Sequence, residues 1–412
     1  METIRRAEKI LERLNELGKI SENKSCLTRR FGTPAFIQGS QLVESWMKEA
    51  GLITFRDNIG NIRGKLSCRD PASKTFVLGS HIDTVADAGK FDGPLGVIMA
   101  IDFLEQAGKT NRSFPFHLEC IAFSDEEGVR FHTTFLGSKA ITGTFKQELL
   151  LKTDQDSITL ETVLKEMDCD PKAVNDHYLS SVNVIGYFEI HIEQGPVLFN
   201  NGIPVAVVRG IAAQKRIMLT LSGMAGHAGT VPMSLRKDAL CAASECIVAI
   251  EQYANSDQTS FVATVGKLEV HNSASNVIPG KVSLTLDLRS IDLKDLNANA
   301  KSIEAIINKI CMRRSINLDW ELIQQTEPTI CDELLNEKMK LAIINNGLEP
   351  IEIVSGAGHD AVEISKIAPV CMLFVKCFEG ISHNPLENVE IKDIAAAIKV
   401  AEEFIKLISE TY

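Results

Sequence analysis

Apolar residues recur along the chain in two alternating rhythms. Ile4, Ala7, Leu11 and Leu14 fall three or four apart among Arg5, Arg6, Lys9 and Arg13, the spacing of one packed helix face, so residues 1–20 predict a packing helix. Their charges leave no uncharged core long enough for a secretion signal. A second helix stops at Gly51, after a loop near residues 24–34. Residues 55–66, broken at Asp57-Asn58 and Gly60-Asn61, predict a hairpin. Continuous apolar runs at 75–80, 116–123, 186–190 and 203–209 read as buried strands, with Gly79 breaking the first. An apolar helix over 96–106 and a polar helical stretch over 145–172 lie between them.

The rhythm then changes. Residues 214–221 alternate as a strand with one polar face, and a glycine-rich loop, a helix over 235–253, strands at 261–270 and 281–289, a helix over 296–311 and a strand at 318–323 follow. This strand-helix-strand-strand-helix-strand order predicts a small α+β sandwich with an open sheet, placed as an insert over 211–325. From 326 the α/β pattern returns with a helix to 346, strands at 351–354 and 370–375, and an amphipathic helix over 391–408. The fold class is therefore α/β over 1–210 and 326–412, interrupted by an α+β insert.

Composition narrows the possibilities only slightly. A chain of 412 residues with 45% hydrophobic and 24% charged residues fits two globular domains, and a net charge of -11 disfavours nucleic acid as a partner. No stretch reaches the roughly 18 uninterrupted apolar residues of a membrane span. Ten cysteines without a C-x-x-C pair suggest reduced thiols and a cytoplasmic setting.

The candidate chemistry gathers at predicted strand ends. His81 and Asp83 follow the 75–80 strand, and their period-two spacing puts both on one side, where the carboxylate can hold the far imidazole nitrogen while the near one binds metal. Asp92 lies in the glycine-rich turn after them, Glu126-Glu127 after the 116–123 strand, His191 before a Gly195-Pro196 turn, and His383 in Ser382-His383-Asn384-Pro385. Imidazole and carboxylate ligands without thiolate suit Zn²⁺ or Mn²⁺. Three histidines and two carboxylates are enough for two ions if one carboxylate bridges, and such a pair activates water and stabilises an oxyanion. Glu126, adjacent to a ligand and free of one, can move the proton that hydrolysis needs. No G-x-S-x-G elbow, Walker loop or G-x-G-x-x-G competes.

The runs G-S-H-I-D-T-V, D-A-G-K-F-D-G, F-S-D-E-E-G-V-R-F, H-I-E-Q-G-P-V-L, G-H-A-G-T-V-P-M-S, S-A-S-N-V-I-P-G, S-G-A-G-H-D-A and G-I-S-H-N-P resemble, in order, the amidase/carbamoylase branch of the M20 metallopeptidase-like hydrolases from about residue 75 to the end. The resemblance implies a zinc-exopeptidase-like domain, a mixed sheet flanked by helices, with an inserted lid that also makes a homodimer. It implies one ion on His81 and His191, Asp92 bridging, a second ion on Glu127 and His383, Glu126 as general base and Asp83 supporting His81. Arg289 resembles the family's carboxylate-binding arginine, and its fork suits that partner. Asn276 would bind the ureido or carboxylate oxygen, and His227 would reach the partner subunit's site to stabilise the oxyanion. Gln194, Gly358 and His359 look like further substrate contacts.

Members of this branch act on allantoate, N-carbamoyl-L-amino acids, ureidopropionate or ureidoglycolate. Arg216 stands in A-Q-K-R where those acting on allantoate carry G-Q-x-R, with Ala213 in place of the usual glycine. The expectation is therefore hydrolysis of the small anionic ureide allantoate to ureidoglycine, ammonia and carbon dioxide. The alternative is an N-carbamoyl-L-amino acid hydrolase or a ureidopropionase-type enzyme.

Overall fold

Strands with the longest apolar runs occupy the middle of the larger sheet. In the computed structural model, which describes residues 1–110, 112–256 and 261–412, the strands His117–Phe123, Thr75–His81, Val184–Ile192 and Val370–Val375 lie side by side, and every residue of each is buried. All three pairings among them are parallel. Burial on both faces is what a parallel sheet demands, and it explains why these segments lack polar alternation. Antiparallel strands flank them, the hairpin Ile53–Arg56 and Ile62–Leu66 on one side and Val205–Ile211 on the other, so the sheet is mixed as expected. The helix Pro94–Lys109 packs on these strands, and Glu2–Leu17 and Ile391–Ser409 pack on it and on each other.

By contacts the chain divides into one compact unit formed by Met1–Arg209 with Cys331–Tyr412 and another formed by Gly210–Ile330. The second unit runs past the expected end at 325 because Thr329 and Ile330 pair antiparallel with Ile211 and Gly210, tying its exit to its entry. Its four-stranded antiparallel sheet has the order Asn317–Gln325, Ala213–Ser222, Lys281–Ser290, Val262–His271. Ile217, Leu219 and Leu221 with Val282, Leu284, Leu286 and Leu288 form its core against the helices Ala239–Ser256 and Leu293–Arg314. Their even- and odd-numbered neighbours, Gln214, Arg216, Asp287 and Arg289 among them, take the other face.

Several elements differ from expectation for local reasons. The first buried strand runs through Gly79, paired with Ile121, to His81. Residues 145–172 hold one short α-helix, Leu160–Glu166, and brief 3-10 turns. There the Asp154 carboxylate accepts the main-chain N–H groups of Asp156 and Ile158 at 3.0 and 2.9 Å, and so competes with a helix. The helix expected from 326 begins at Glu333, where Asp332 caps it by accepting the Leu335 N–H at 2.9 Å. In the first helix Ile4 is exposed, and Ala7, Ile10, Leu14 and Leu17 make the buried stripe. Among the described residues no helix is long and apolar enough to cross a membrane.

Candidate metal centre

The carboxyl ends of the four parallel strands deliver the candidate ligands. His81 is the last residue of its strand, Glu126 and Glu127 follow Phe123 by three and four residues, and His191 is the penultimate residue of Val184–Ile192. Loop carboxylates and imidazoles at such strand ends face one crevice because parallel strands share a direction. The turn before the acidic pair is tight. Asp125 is 1% exposed with a φ of 53°, a left-handed conformation that reverses the chain and presents Glu126 and Glu127. Gln194 and His383 also adopt positive φ, 57° and 52°, so three loops of the site hold uncommon backbone conformations. Gly93, with a φ of 83°, sits so close to the His81 ring that a Cβ there would collide with it.

Asp92 is the hub. Its Oδ1 lies 3.2 Å from His191 Nε2 and 3.7 Å from His81 Nε2, whereas its Oδ2 lies 3.0 Å from His383 Nε2. His383 Nε2 in turn is 3.6 Å from Glu127 Oε1. Each oxygen of one carboxylate thus faces its own set of partners. Three overlapping groups have their ligand atoms within 4.8 Å of one another: His81 with Asp92 and His191, Asp92 with Glu127 and His383, and His81 with Glu126 and Glu127.

The protonation pattern tests whether cations fit. His81 Nδ1 faces the main-chain carbonyl two residues on, Asp83 O, at 3.1 Å, and His191 Nδ1 faces Ile192 O at 3.0 Å. A nitrogen facing a carbonyl carries the proton, so in the neutral rings both Nε2 atoms present lone pairs, and only added protons let them hydrogen-bond Asp92. Those two Nε2 atoms are 3.5 Å apart and both point at a carboxylate oxygen. Converging lone pairs with no donor between them repel, and a divalent cation or added protons resolve that repulsion. The donor set fits a cation.

The electrostatics agree with this. Burial pushes the Asp92 carboxyl up, but hydrogen bonds from His191, His383 and His81 outweigh it and hold it well below the usual range. Burial favours neutral His81, yet the Asp83 and Asp92 carboxylates and the charge of Glu126 raise it well above its ordinary value. The bond to Asp92 raises His383 to about 9 against partial burial. Burial, then the Asp92 charge, raises Glu127 to about 7. Glu126, 7% exposed, is driven well above the carboxylate range by burial, with Glu127, Asp360 and Asp83 adding to it against the pull of His81.

Asp83 does more than hold an imidazole. The hydrogen bond at His81 Nδ1 goes to the Asp83 carbonyl, with the carboxylate Oδ1 at 3.5 Å. The carboxylate accepts the main-chain N–H groups of Glu126 at 3.0 Å and Glu127 at 3.2 Å, joining the two ligand-bearing loops. Arg29, absent from the expected set, lies beneath it. Fully buried, it donates to Ile82 O at 2.8 Å and Leu17 O at 2.9 Å, and burial lowers its guanidinium to about 10 against the attraction of Asp83. One of two adjacent arginines, Arg29-Arg30, in a stretch read as a loop, carried no sequence signal.

Three of the expected substrate contacts, Gln194, His359 and Gly358, lie in the same unit as the histidines and carboxylates. Gln194 donates from Nε2 to Asp92 Oδ2 at 2.9 Å, and its buried Oε1 has no partner. His359 is 1% exposed, its ring edge-on to His191 at 4.5 Å and its Nε2 2.8 Å from Ser355 Oγ. Exposed Gly358 backs onto Phe135. Ser382, beside His383, was also missed, although its Oγ lies 3.0 Å from Asp92 Oδ2.

The remaining candidates belong to the second unit. Gly226–His227 pairs with Val277–Ile278, and Ala228 N donates to Asn276 O at 2.9 Å, which sets exposed His227 and Asn276 next to each other. Arg216 lies opposite Asp287 across the sheet and donates from Nε to its Oδ2 at 3.3 Å; Arg289 donates from Nε to its Oδ1 at 2.8 Å. Gln214 donates to the same carboxylate at 2.5 Å.

With fold and geometry in place, comparison with known proteins gives the class. The chain belongs to Peptidase family M20/M25/M40, which matches it over residues 77–407. It is 40% identical over 429 residues to allantoate deiminase 2 of Glycine max, across 96% of this chain and 88% of that protein. It is 37% identical over 402 residues to the N-carbamoyl-L-amino-acid amidohydrolase of Pseudomonas sp. (strain NS671), across 97% of each. Among solved structures, an amidase of the hydantoinase/carbamoylase family from Burkholderia multivorans superposes with a TM-score of 0.91 at 29% identity, across 97% of each chain.

Proposed function

We propose that this chain is an allantoate amidohydrolase: it hydrolyses one ureido C–N bond of allantoate. The observation that carries the chemistry is the convergence of His81, Asp92, Glu127, His191 and His383 about a single carboxylate, with Glu126 beside them. Asp92 would be shared by two cations, Mn²⁺ or Zn²⁺, with His81 and His191 on one and Glu127 and His383 on the other. When bound, such cations polarise a carbonyl and lower the pKa of water. Glu126 takes a proton from the attacking water and returns it to the departing nitrogen, a role its place beside Glu127 and His81 allows. The C–N bond breaks to leave ureidoglycine and carbamate, and the carbamate decays to ammonia and carbon dioxide.

The choice of allantoate is supported by the 40% identity to an allantoate deiminase and by Arg216. Arg216 and Arg289 grip the substrate carboxylate, a role for which paired guanidiniums are suited. Asn276 hydrogen-bonds the ureido or carboxylate oxygen, and Gln194, Gly358 and His359 make further substrate contacts. His227 serves the partner subunit's centre in a homodimer whose contacts come from the inserted unit. Ten free cysteines fit a reducing, cytoplasmic compartment.

A second reading, N-carbamoyl-L-amino acid hydrolysis, is favoured by the 37% identity to such an enzyme. Ammonia release from allantoate and from N-carbamoyl-L-amino acids, by protein loaded with Mn²⁺, separates the two. Turnover of allantoate well above the others is expected. Brisk turnover of the carbamoyl amino acids with none of allantoate overturns the substrate assignment.

A further inference from the structure

Behind the centre stands a carboxylate that the chemistry above does not use. Glu387 is 3% exposed, and its Oε1 accepts the main-chain N–H of Phe91 at 2.7 Å and that of Asp92 at 3.2 Å. Its Oε2 lies 3.1 Å from Ser382 Oγ, the same hydroxyl that reaches Asp92 Oδ2 at 3.0 Å. Ser382 precedes His383, so one buried side chain ties the loop of Asp92 to the loop of His383, which lie almost three hundred residues apart in sequence. The loop around Asp92 is shaped to receive it, since any Cβ at Gly89 would collide with the Glu387 side chain. A buried carboxylate held by two main-chain N–H groups and by a hydroxyl it shares with Asp92 is rigid, because each lost bond would leave it unsatisfied in a dry setting.

We propose that Glu387 is a positioning residue for the cation site made by Asp92, Glu127 and His383. It acts by fixing the Asp92 main chain against the Ser382-His383 turn. His81 and His191 stand on other strands, and neither is among the groups Glu387 bonds, so the His81–His191 site depends on it only through Asp92. The inference rests on the two-cation reading above. It adds to that reading a difference between the two sites, and a residue that sets it.

The test uses full-length wild type, Glu387→Ala and Glu387→Gln, stripped with chelator and titrated with Mn²⁺ alone. Stoichiometry and affinity are read by competition with a coloured chelator, and the melting temperature of the metal-free form is recorded alongside. Wild type should bind two Mn²⁺. Glu387→Ala should bind the second ion about 10- to 100-fold more weakly, the usual cost of removing a group that orients metal ligands, and the first with a clearly smaller loss, since that site feels the change only through Asp92. Its kcat should return at high Mn²⁺. Glu387→Gln should recover most of the affinity, because a glutamine can still accept from Phe91 and Asp92 and donate to Ser382. Unchanged binding of both ions by Glu387→Ala overturns the proposal. So does equal weakening of both, with a lowered metal-free melting temperature and no rescue by glutamine. A wild type that binds fewer than two Mn²⁺ overturns the two-cation reading itself, an outcome visible before any variant is compared.

Discussion

Asp92 and Asp287 are both aspartates crowded by nitrogen, yet they have opposite chemical prospects. Asp92 is 4% exposed and faces the Nε2 atoms of three histidines, at 3.7, 3.2 and 3.0 Å. Asp287, with its side chain 24% exposed, faces two guanidiniums and an amide on the polar side of a sheet. Imidazoles can give up protons, so around Asp92 a proton and a metal cation compete for the same lone pairs. Guanidiniums cannot, so around Asp287 the positive charge is permanent and what exchanges is the anion. The buried carboxylate suits holding a cation; the half-open one suits lending its arginines to a carboxylate from outside.

Substitution sharpens this contrast, beginning with the change of largest effect. Asp92→Ala should leave neither cation firmly held and no measurable turnover, by metal analysis and ammonia release; two retained cations would break the account of a shared carboxylate. Glu126→Gln should lower kcat by roughly 10²- to 10⁴-fold with cation content unchanged, the range expected for losing a general base. Arg216→Ala should raise the KM for allantoate about tenfold or more, as loss of a charge-assisted bond predicts, and leave hydrolysis of N-carbamoyl-L-amino acids near wild type.

Cation uptake should also depend on pH. His383 sits at about 9, above its ordinary 6.5, because of Asp92. Its proton therefore stabilises the metal-free fold fully below about 6.5, and that contribution disappears as pH rises through about 9. Mn²⁺ must displace the proton, so its affinity should rise with pH, by at most about tenfold per unit for one proton, and flatten above about 9. An affinity flat from about pH 6.5 to 9 would break the link between loss of the raised His383 proton and cation uptake. The smallest effect belongs to Asp287→Asn. Half-exposed ion pairs contribute little, so the melting temperature should barely move and the KM for allantoate should change less than with Arg216→Ala.

Much of this could be anticipated from residue order. The buried parallel strands declared themselves as apolar runs without alternation, because a strand covered on both faces has no polar side to show. The chain's return to α/β after 325 announced an insert. Polar segments were less readable. Residues 145–172 have a helical composition, but Asp154 bonds its own backbone, a choice that depends on a few local angles. Ile4 kept the helical spacing and still faced outward, because the neighbouring helices cover Ala7, Ile10 and Leu14 instead.

Residue identity alone supplied the chemical types of the centre, histidine and carboxylate at strand ends without thiolate, since ligand preference is a property of side chains. Distances between them came from folding. Nothing in the order of residues says that Asp92 turns one oxygen to His191 and the other to His383, that the Asp83 carboxylate gathers the Glu126 and Glu127 amides, or that Glu387 reaches back to Phe91. Those contacts span from about forty to about three hundred positions, and packing of the sheet, not local preference, brings their partners within hydrogen-bond range. Local propensity acts over a few residues, whereas a site assembled from separate strand ends exists only once the strands are side by side.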